Sequence, residues 1–229
     1  MEVDMGWFDF IKKEKIIPSS FVLDYETLFN EKTLKDRPVS GLDFTVLDTE
    51  ITGLNIRTDY IISFGSVRVQ SYSIKINTVK EYYLKLKKQG KEAIKVHEII
   101  KADGFITLEE FVDKFLHEIG NSIVVAHHAG FDVAMLERAG RSFGLKKLQN
   151  PILDILYLAI RLEIGKNSNP RLANMADYSL DSLCERYNIP LNDRHAASGD
   201  AFLTAQLLVK LLKIAEKKGI ETYGDLMGR

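Results

Sequence analysis

The spacing of apolar and polar residues changes near residue 90, which separates a region of predicted strands from one that alternates strands and helices. Before this point, short runs of β-branched and aromatic residues alternate with polar or small ones, as in half-buried strands. The second and third runs are close enough for a hairpin with a tight connection near Gln70 and Ser71. The four runs, which predict a small antiparallel sheet, are residues 44–53, 60–69, 72–76 and 81–86.

After residue 91 the apolar positions recur at helical spacing, with short apolar strands between the helices. Thr107 and Glu110 form the sequence of a capping box, which predicts a helix from Leu108 that ends at Gly120. Ser179 is the expected N-cap of a later helix, and residues 166–177 are predicted to be a loop. Two further strands are predicted at 123–126 and 151–153. Three further helices are predicted: one starts near Asp132 and ends at Gly144, one starts near Asp154, and one runs from Ala197 to Lys218.

Residues 1–40 are predicted to be an N-terminal extension, and residues 41–229 the main domain. Aromatic and aliphatic residues at 7–11 and 21–29 fall at roughly helical spacing, so two short helices are expected. These helices could dock on the core, which is the favoured interpretation, or form an amphipathic surface for a partner or a membrane.

Composition excludes several classes of protein. The 229 residues carry a net charge of −1, so a nucleic acid would be held by a local basic patch or by metal ions rather than by bulk charge. The single cysteine, Cys184, excludes an intrachain disulfide and a multi-cysteine zinc site. The N-terminus has no signal-peptide pattern, and no apolar run approaches the roughly 20 residues that span a bilayer. We therefore expect a cytoplasmic protein without a membrane partner.

Two acids lie where the first predicted strand ends. Asp48 and Glu50 are two residues apart, so their side chains project from the same face. Adjacent carboxylates repel unless a cation lies between them, and oxygen ligands suit Mg²⁺ or Mn²⁺. Two solvated acids at a strand end would give the same local pattern, so this segment alone leaves both interpretations open.

Three further residues have ordinary explanations when each is considered alone. Asp132 and Asp200 lie at predicted helix starts, where an acid serves as a cap or interacts with the helix dipole, and His195 lies in a predicted loop. With Asp48 and Glu50, however, they form an ordered set that resembles the three motifs of the DnaQ-like DEDDh 3′→5′ exonuclease family. The matching segments are Asp48-Thr49-Glu50-Ile51-Thr52-Gly53, His127-His128-Ala129-Gly130-Phe131-Asp132 and His195-Ala196-Ala197-Ser198-Gly199-Asp200-Ala201.

This resemblance covers roughly residues 44–218 and implies an α/β, RNase H-like fold with a central mixed five-stranded sheet flanked by helices. The family includes the proofreading subunit of the bacterial replicative DNA polymerase. Similarity to it implies two Mg²⁺ or Mn²⁺ ions, bridged by Asp48, with Glu50 and Asp200 completing one site and Asp132 serving the other. It also implies that His195 is the general base, that Glu50 has a catalytic role, and that nucleoside 5′-monophosphates are released from a 3′ end.

The resemblance implies substrate contacts from residues near the first and second motifs. These are Thr49, Ile51, Gly53, Leu54, His128 and Phe131, although Phe131 could equally be a core residue. Two positions depart from the family pattern: His128 replaces a common asparagine, and Ile51 replaces a common threonine. Neither is an expected metal ligand, so we expect catalysis to be retained while substrate preference stays open. Asp154 is expected to be a helix cap rather than a ligand.

Several functional alternatives remain open at this stage. DNA is the favoured substrate, but RNA-trimming and oligonucleotide-scavenging nucleases share these motifs. An inactive nucleic-acid or partner-binding module is a further alternative, although all four acids and the histidine are retained. Residues 1–40 could dock on a DNA polymerase or another assembly. No long tail follows the last predicted helix, which favours a stand-alone nuclease.

Overall fold

The computed structural model describes residues 16–30, 35–85, 104–165, 173–192 and 194–228. The helix predicted at residues 7–11 and most of the loop predicted at 166–177 lie outside these ranges. Within them the strands are β1 (Asp43–Ile51), β2 (Ile61–Gln70), β3 (Ser73–Leu84), β4 (Phe105–Ile106), β5 (Ile123–Ala126) and β6 (Ile152–Asp154). The α-helices are α1 (Ser20–Thr27), α2 (Leu108–Ile119), α3 (Ala129–Gly140), α4 (Ile155–Ile164), α5 (Leu180–Arg186), α6 (Ala197–Lys217) and α7 (Tyr223–Met227). Single 3₁₀ turns occur at Val39–Gly41, Arg141–Phe143 and Met175–Tyr178.

The described strands form one mixed sheet in the order β4-β3-β2-β1-β5-β6. β1 pairs antiparallel with β2 and parallel with β5, and β2 pairs antiparallel with β3. β4 and β6 join the two edges in parallel. The predicted mixed sheet is confirmed, but it has six described strands rather than five. The predicted number of strands was too low by one, because the two-residue strand β4 carries no periodic signal.

The sheet is covered on both faces by helices, as the alternation of strands and helices predicts. One core lies between the sheet and α4, α5, α6 and α7. The other lies between the opposite face and α1, α2 and α3. β1 contributes to both cores, with Phe44 and Val46 in the first and Leu47 in the second. Side chains from both helical layers can therefore reach the carboxyl end of this central strand.

The β2–β3 hairpin turns one residue later than predicted. Gln70 pairs with Ser73, and the two residues between them, Ser71 and Tyr72, have φ values of 49° and 56°. Two successive residues with positive φ are typical of the type I′ turn, whose twist matches that of paired strands. Tyr72, predicted to begin the third strand, is therefore a turn residue.

Local capping interactions set the starts of several helices. Thr107 accepts a hydrogen bond from the Glu110 amide at 3.2 Å while the Glu110 carboxylate accepts one from the Thr107 amide at 2.8 Å, so the predicted capping box is confirmed. Asp154 accepts from the Leu156 amide at 3.0 Å at the start of α4, as expected of a cap. The helix predicted to close at Gly144 was too long: α3 ends at Gly140 and a 3₁₀ turn follows.

Part of the predicted N-terminal extension packs on the core. Val22 and Tyr25 of α1 are buried, and the Tyr25 hydroxyl donates to Asn150 Oδ1 at 2.6 Å. That hydroxyl also accepts from the Gln149 amide at 2.8 Å. Further along, Val39 donates its amide to the Glu221 carbonyl at 2.8 Å, which joins this segment to the chain just before α7. None of the helices in the described ranges is long and apolar enough to cross a bilayer.

Candidate active site

The last residues of β1 point alternately towards the two helical layers. Val46 belongs to the core beneath α6, and Asp48 and Glu50 continue that face by the two-residue period of a strand. Leu47 belongs to the opposite core, and Thr49 continues that face. The two acids are only partly exposed, whereas Thr49 is buried. The strand therefore presents a carboxylate pair to one layer and a hydroxyl to the other.

Asp200 reaches the carboxylate pair from the first turn of α6, where it is 6% exposed. The start of this helix lies directly on β2 at Gly65, the register partner of Asp48. A Cβ at Gly65 would lie 2.1 Å from the carbonyl carbon of Ala197. A glycine in the middle of a strand here permits close approach of a helix backbone, and that approach places Asp200 beside β1.

Asp132 reaches the same strand end from the other layer, in the first turn of α3. Its Oδ1 accepts hydrogen bonds from the Thr49 amide at 3.0 Å and from the Thr49 hydroxyl at 2.6 Å. The N-cap of this helix is His128, whose φ of 61° is in the left-handed region. Asparagine and histidine are both enriched in this conformation, so His128 fits a position where the family commonly has asparagine. The His128 amide donates to the cap Asp154 at 3.2 Å.

The donor set fits a divalent cation. Asp48, Glu50 and Asp200 each place a carboxylate oxygen within 4.8 Å of the other two. All the candidate ligand atoms are oxygens, which hard cations such as Mg²⁺ and Mn²⁺ prefer. Asp200 is buried, and its Oδ1 faces the guanidinium of Arg194, so this carboxylate already has a cationic partner in the metal-free protein. Asp132 is hydrogen-bonded to Thr49, which lies between Asp48 and Glu50 on the strand. Three of the four predicted acids therefore form one group, and Asp132 lies outside it, bonded to Thr49 of the same strand.

Burial and mutual repulsion make the site costly to ionise. Burial raises the pKa of Asp48 to about 8, and the nearby charges of Asp132, Asp200 and Glu50 add to this rise. Burial also raises the pKa of Asp132 to about 6, against the two hydrogen bonds from Thr49. The pKa of Glu50 is raised by burial and then by Asp200. Bound cations would reverse this situation by stabilising the ionised carboxylates.

His195 lies on an exposed turn just before α6, with a φ of 66°. Its charge acts on Glu50, whose pKa it lowers against the effect of burial. The preceding residue, Arg194, forms ion pairs with Asp200 and with Asp181 of α5. His195 is thus exposed to solvent and close enough to Glu50 to affect its pKa.

The loop from Thr52 to Tyr60 has a defined internal structure. Asp59 accepts hydrogen bonds from the Thr52 hydroxyl at 3.1 Å and from the Asn55 amide at 2.7 Å. Arg138 of α3 donates to the Asp59 carbonyl and lies over the Tyr60 ring at 5.2 Å. Within this loop Leu54 is 83% exposed, which leaves an apolar side chain directed to solvent.

A family model described as exonuclease matches residues 45–208, which is most of the chain. This chain belongs to the exonuclease family. The match contains all four acids and His195, so the ordered motifs and the assembled site agree with the family assignment made from sequence.

The most similar relatives of this exonuclease domain include large polymerases. It is 30% identical over 196 residues to the PolC-type DNA polymerase III of Thermotoga petrophila and 31% identical over 186 residues to that of Bacillus subtilis. These matches cover 83% and 80% of the chain. They span only 13% and 12% of the two relatives, so each corresponds to a small part of a much longer protein.

Solved structures agree on the fold. An Exonuclease X in complex with 5′ overhanging duplex DNA superposes with a TM-score of 0.53 at 23% identity, covering 80% of this chain and 96% of that one. The E. coli Exonuclease I in complex with a dT13 oligonucleotide gives a TM-score of 0.58 at 16% identity, covering 78% and 42%. The predicted RNase H-like fold of the exonuclease family is therefore confirmed.

The remaining expected substrate residues of the exonuclease domain differ in exposure. Gly53, Ile51 and Phe131 are half-buried, and Phe131 packs against the α1–α2–α3 core, as its alternative interpretation allowed. His128 and Leu54 are exposed. Thr49 bonds to Asp132 rather than facing solvent.

Three residues that shape the site were not predicted from the sequence: Gly65, Asp59 and Arg194. Of these, Gly65 had a usable signal, because a glycine inside an otherwise β-branched strand marks close approach of another backbone. The partners of Asp59 and Arg194 carry no comparable local signal.

Proposed function

We propose that this chain is a metal-dependent 3′→5′ exonuclease that hydrolyses the terminal phosphodiester bond of single-stranded or frayed nucleic acid, with DNA favoured. The observation that carries the proposal is the group formed by Asp48, Glu50 and Asp200, whose oxygens lie within 4.8 Å of one another in an exonuclease fold. Such a buried acidic group is stable in its ionised form only with cations present.

The four acids would hold two Mg²⁺ or Mn²⁺ ions, with Asp48 between them. Bound ions would supply charge stabilisation for the attacking and leaving oxygens of an in-line displacement. Thr49 fixes the orientation of Asp132 through two hydrogen bonds, so this carboxylate does not need to reorganise. The charge of His195 stabilises the ionised carboxylate of Glu50, and both residues are accessible to solvent.

His195 acts as the general base in this proposal. The ring nitrogen of a neutral imidazole can take a proton from water, which makes histidine a common general base. Its turn lies next to the acids and is open to solvent, which lets water and a strand end approach. The exposed Leu54 and the ordered loop around Asp59 provide an apolar contact for the terminal nucleotide, and Thr49, Ile51, Gly53, His128 and Phe131 complete the proposed contact set.

A labelled oligonucleotide tests the direction and the chemistry. On single-stranded DNA labelled at the 5′ end we expect a ladder of shortened labelled products, and on DNA labelled at the 3′ end immediate release of a labelled nucleoside 5′-monophosphate. EDTA should abolish both. Asp48→Ala should be inactive, while the control Asp43→Ala, which changes an exposed acid at the start of the same strand, should be active. Undiminished hydrolysis by Asp48→Ala would refute the mechanism.

The same assay on RNA of matched sequence separates the alternatives. Faster hydrolysis of RNA would assign the chain to RNA trimming, and activity confined to very short oligonucleotides would assign it to scavenging. Binding of either nucleic acid without any metal-dependent hydrolysis would indicate an inactive binding module.

We also propose that a DNA polymerase is a partner, through residues 1–40. The PolC-type relatives are polymerases of which the matched region is a small part, which supports this partner class. Leu23 and Leu28 of the described part of this segment are about half exposed and available to a partner. Substituting both with serine should weaken co-purification with a polymerase while turnover is unchanged. Equal co-purification would contradict the proposed docking.

A further inference from the structure

Arg194 joins three elements around the carboxylate site. Its Nη1 is ion-paired with Asp200 Oδ1 in α6, and its Nε lies 2.5 Å from Asp181 Oδ1 in α5. The Arg194 side chain is 21% exposed and that of Asp200 is 9% exposed, whereas that of Asp181 is 55% exposed. The ion pair between Arg194 and Asp200 is therefore largely withdrawn from water. Charge interactions are stronger in such a buried environment than at the surface.

Among the described residues, Arg194 is the cation that is ion-paired with one of the four site acids. Its influence extends beyond Asp200. The pKa of Asp48 is raised by burial and by the other acids, and the pKa of Glu50 is raised by burial and Asp200; Arg194 opposes both rises. One guanidinium thus offsets part of the repulsion within the whole acidic group.

The same side chain fixes the turn that carries His195. This turn includes His195 in the left-handed region, which histidine adopts more readily than most non-glycine residues but which still needs support from its surroundings. Arg194 is the adjacent residue, and its two ion pairs fasten the turn to α5 and α6 at once. Moving this guanidinium would therefore move the turn of His195, whereas Asp200 is placed by the packing of α6 on Gly65.

We propose that Arg194 is the counter-cation of the metal-free site, and that it positions the turn of His195 for hydrolysis. The inference rests on the proposed function, because it assumes that divalent cations bind the same carboxylates. A fixed positive charge beside Asp200 repels an incoming cation, so Arg194 weakens cation binding while it improves the geometry for turnover.

This dual role gives a distinctive signature. In Arg194→Gln, which removes the charge and keeps a similar length, we expect Mn²⁺ to bind roughly tenfold more tightly, since loss of a like charge strengthens binding. Turnover should fall by about tenfold or more, because misplaced catalytic groups slow the reaction. A residue with only a structural role would lose metal binding and activity together.

Isothermal titration of the metal-free protein with Mn²⁺, combined with kcat and KM on a single-stranded oligonucleotide, tests the proposal. Arg186→Gln is the matched control, since Arg186 is an ion-paired arginine of α5 whose partner, Glu163, lies outside the carboxylate group. This control should bind Mn²⁺ and turn over like wild type. Equal or weaker Mn²⁺ binding by Arg194→Gln, or an unchanged kcat, would overturn the proposal.

Two milder variants decide the matter if Arg194→Gln does not fold. Arg194→Lys retains the charge without the planar fork, and Asp181→Asn removes one anchor while it retains the arginine. Both should show near wild-type Mn²⁺ affinity with a reduced kcat; full activity in both would overturn the positioning role. If wild type binds Mn²⁺ but hydrolyses nothing, the proposed function fails while the effect of Arg194 on Mn²⁺ affinity still decides its counter-cation role.

Discussion

Asp48→Asn should make the metal-free protein more stable at alkaline pH while abolishing its response to metal. The pKa of Asp48 is raised from 3.8 to about 8 by burial and by three neighbouring acids. The difference is about four pKa units at 1.36 kcal/mol each, so ionising this carboxyl in the folded protein costs on the order of 5 kcal/mol. Asparagine has nearly the same shape and carries no charge.

The expected pH dependence follows from proton binding. The folded protein holds the Asp48 proton more tightly than the unfolded chain, so its contribution to stability decreases as pH rises from about 4 to about 8. Between pH 6 and pH 9 this loss of stability covers about two pH units, from pH 6 up to the pKa of Asp48 near 8. Relative to wild type, Asp48→Asn should therefore gain about 3 kcal/mol between these two pH values.

Urea unfolding in EDTA at pH 6 and pH 9 measures this gain, and the difference between the two proteins removes the effects of other groups. Asp43→Asn serves as the control and should parallel wild type at both pH values. Added Mn²⁺ should stabilise wild type and leave Asp48→Asn almost unaffected. A stability difference that is the same at both pH values would refute the assigned burial and repulsion at Asp48.

Three other substitutions probe how the scaffold supports the site. Tyr25→Phe removes the hydroxyl bonded to buried Asn150, and urea unfolding should show a loss of about 1–3 kcal/mol, since an unsatisfied buried amide is left behind; an unchanged midpoint would show that Asn150 finds another partner. Gly65→Ala should push the start of α6 away from β2 and weaken Mn²⁺ binding in a calorimetric titration by at least about tenfold, because it disturbs Asp200. If Mn²⁺ affinity is unaffected, the close approach at Gly65 does not place that ligand. Asp59→Ala should loosen the Leu54 loop and raise KM several-fold with little change in kcat in steady-state kinetics; a lower kcat at constant KM would contradict a substrate-contact role.

The local parts of the fold and the site could be predicted because their signals are contained in a few adjacent residues. The capping box at Thr107, the alternation along β1 and the cap at Asp154 each follow from short-range rules. The acids were found by the order of three motifs, and their convergence follows from parallel pairing of β1 with β5 and from α6 packing on β2.

Features that depend on distant partners could not be predicted in this way. Arg194 is significant only because Asp181 and Asp200 meet it in space, and neither spacing nor composition reveals such a contact. The bond from the Thr49 hydroxyl to Asp132 is another such feature: it lies in the layer opposite Asp48, as the strand period requires once the faces are known. The hairpin turn was misplaced by one residue because Tyr72 has no intrinsic preference for positive φ.

The sharing of one site between two helical layers has a consequence for the kinetics of folding. The carboxylates converge only when α3 and α6 have both packed on β1, so their repulsion, and any relief by a metal, is expected mainly after the folding transition state. Interactions that form so late slow unfolding and leave refolding rates nearly unchanged. Mn²⁺ should therefore lengthen the lifetime of the native state in stopped-flow denaturation, while the rate at which the unfolded chain refolds stays nearly the same.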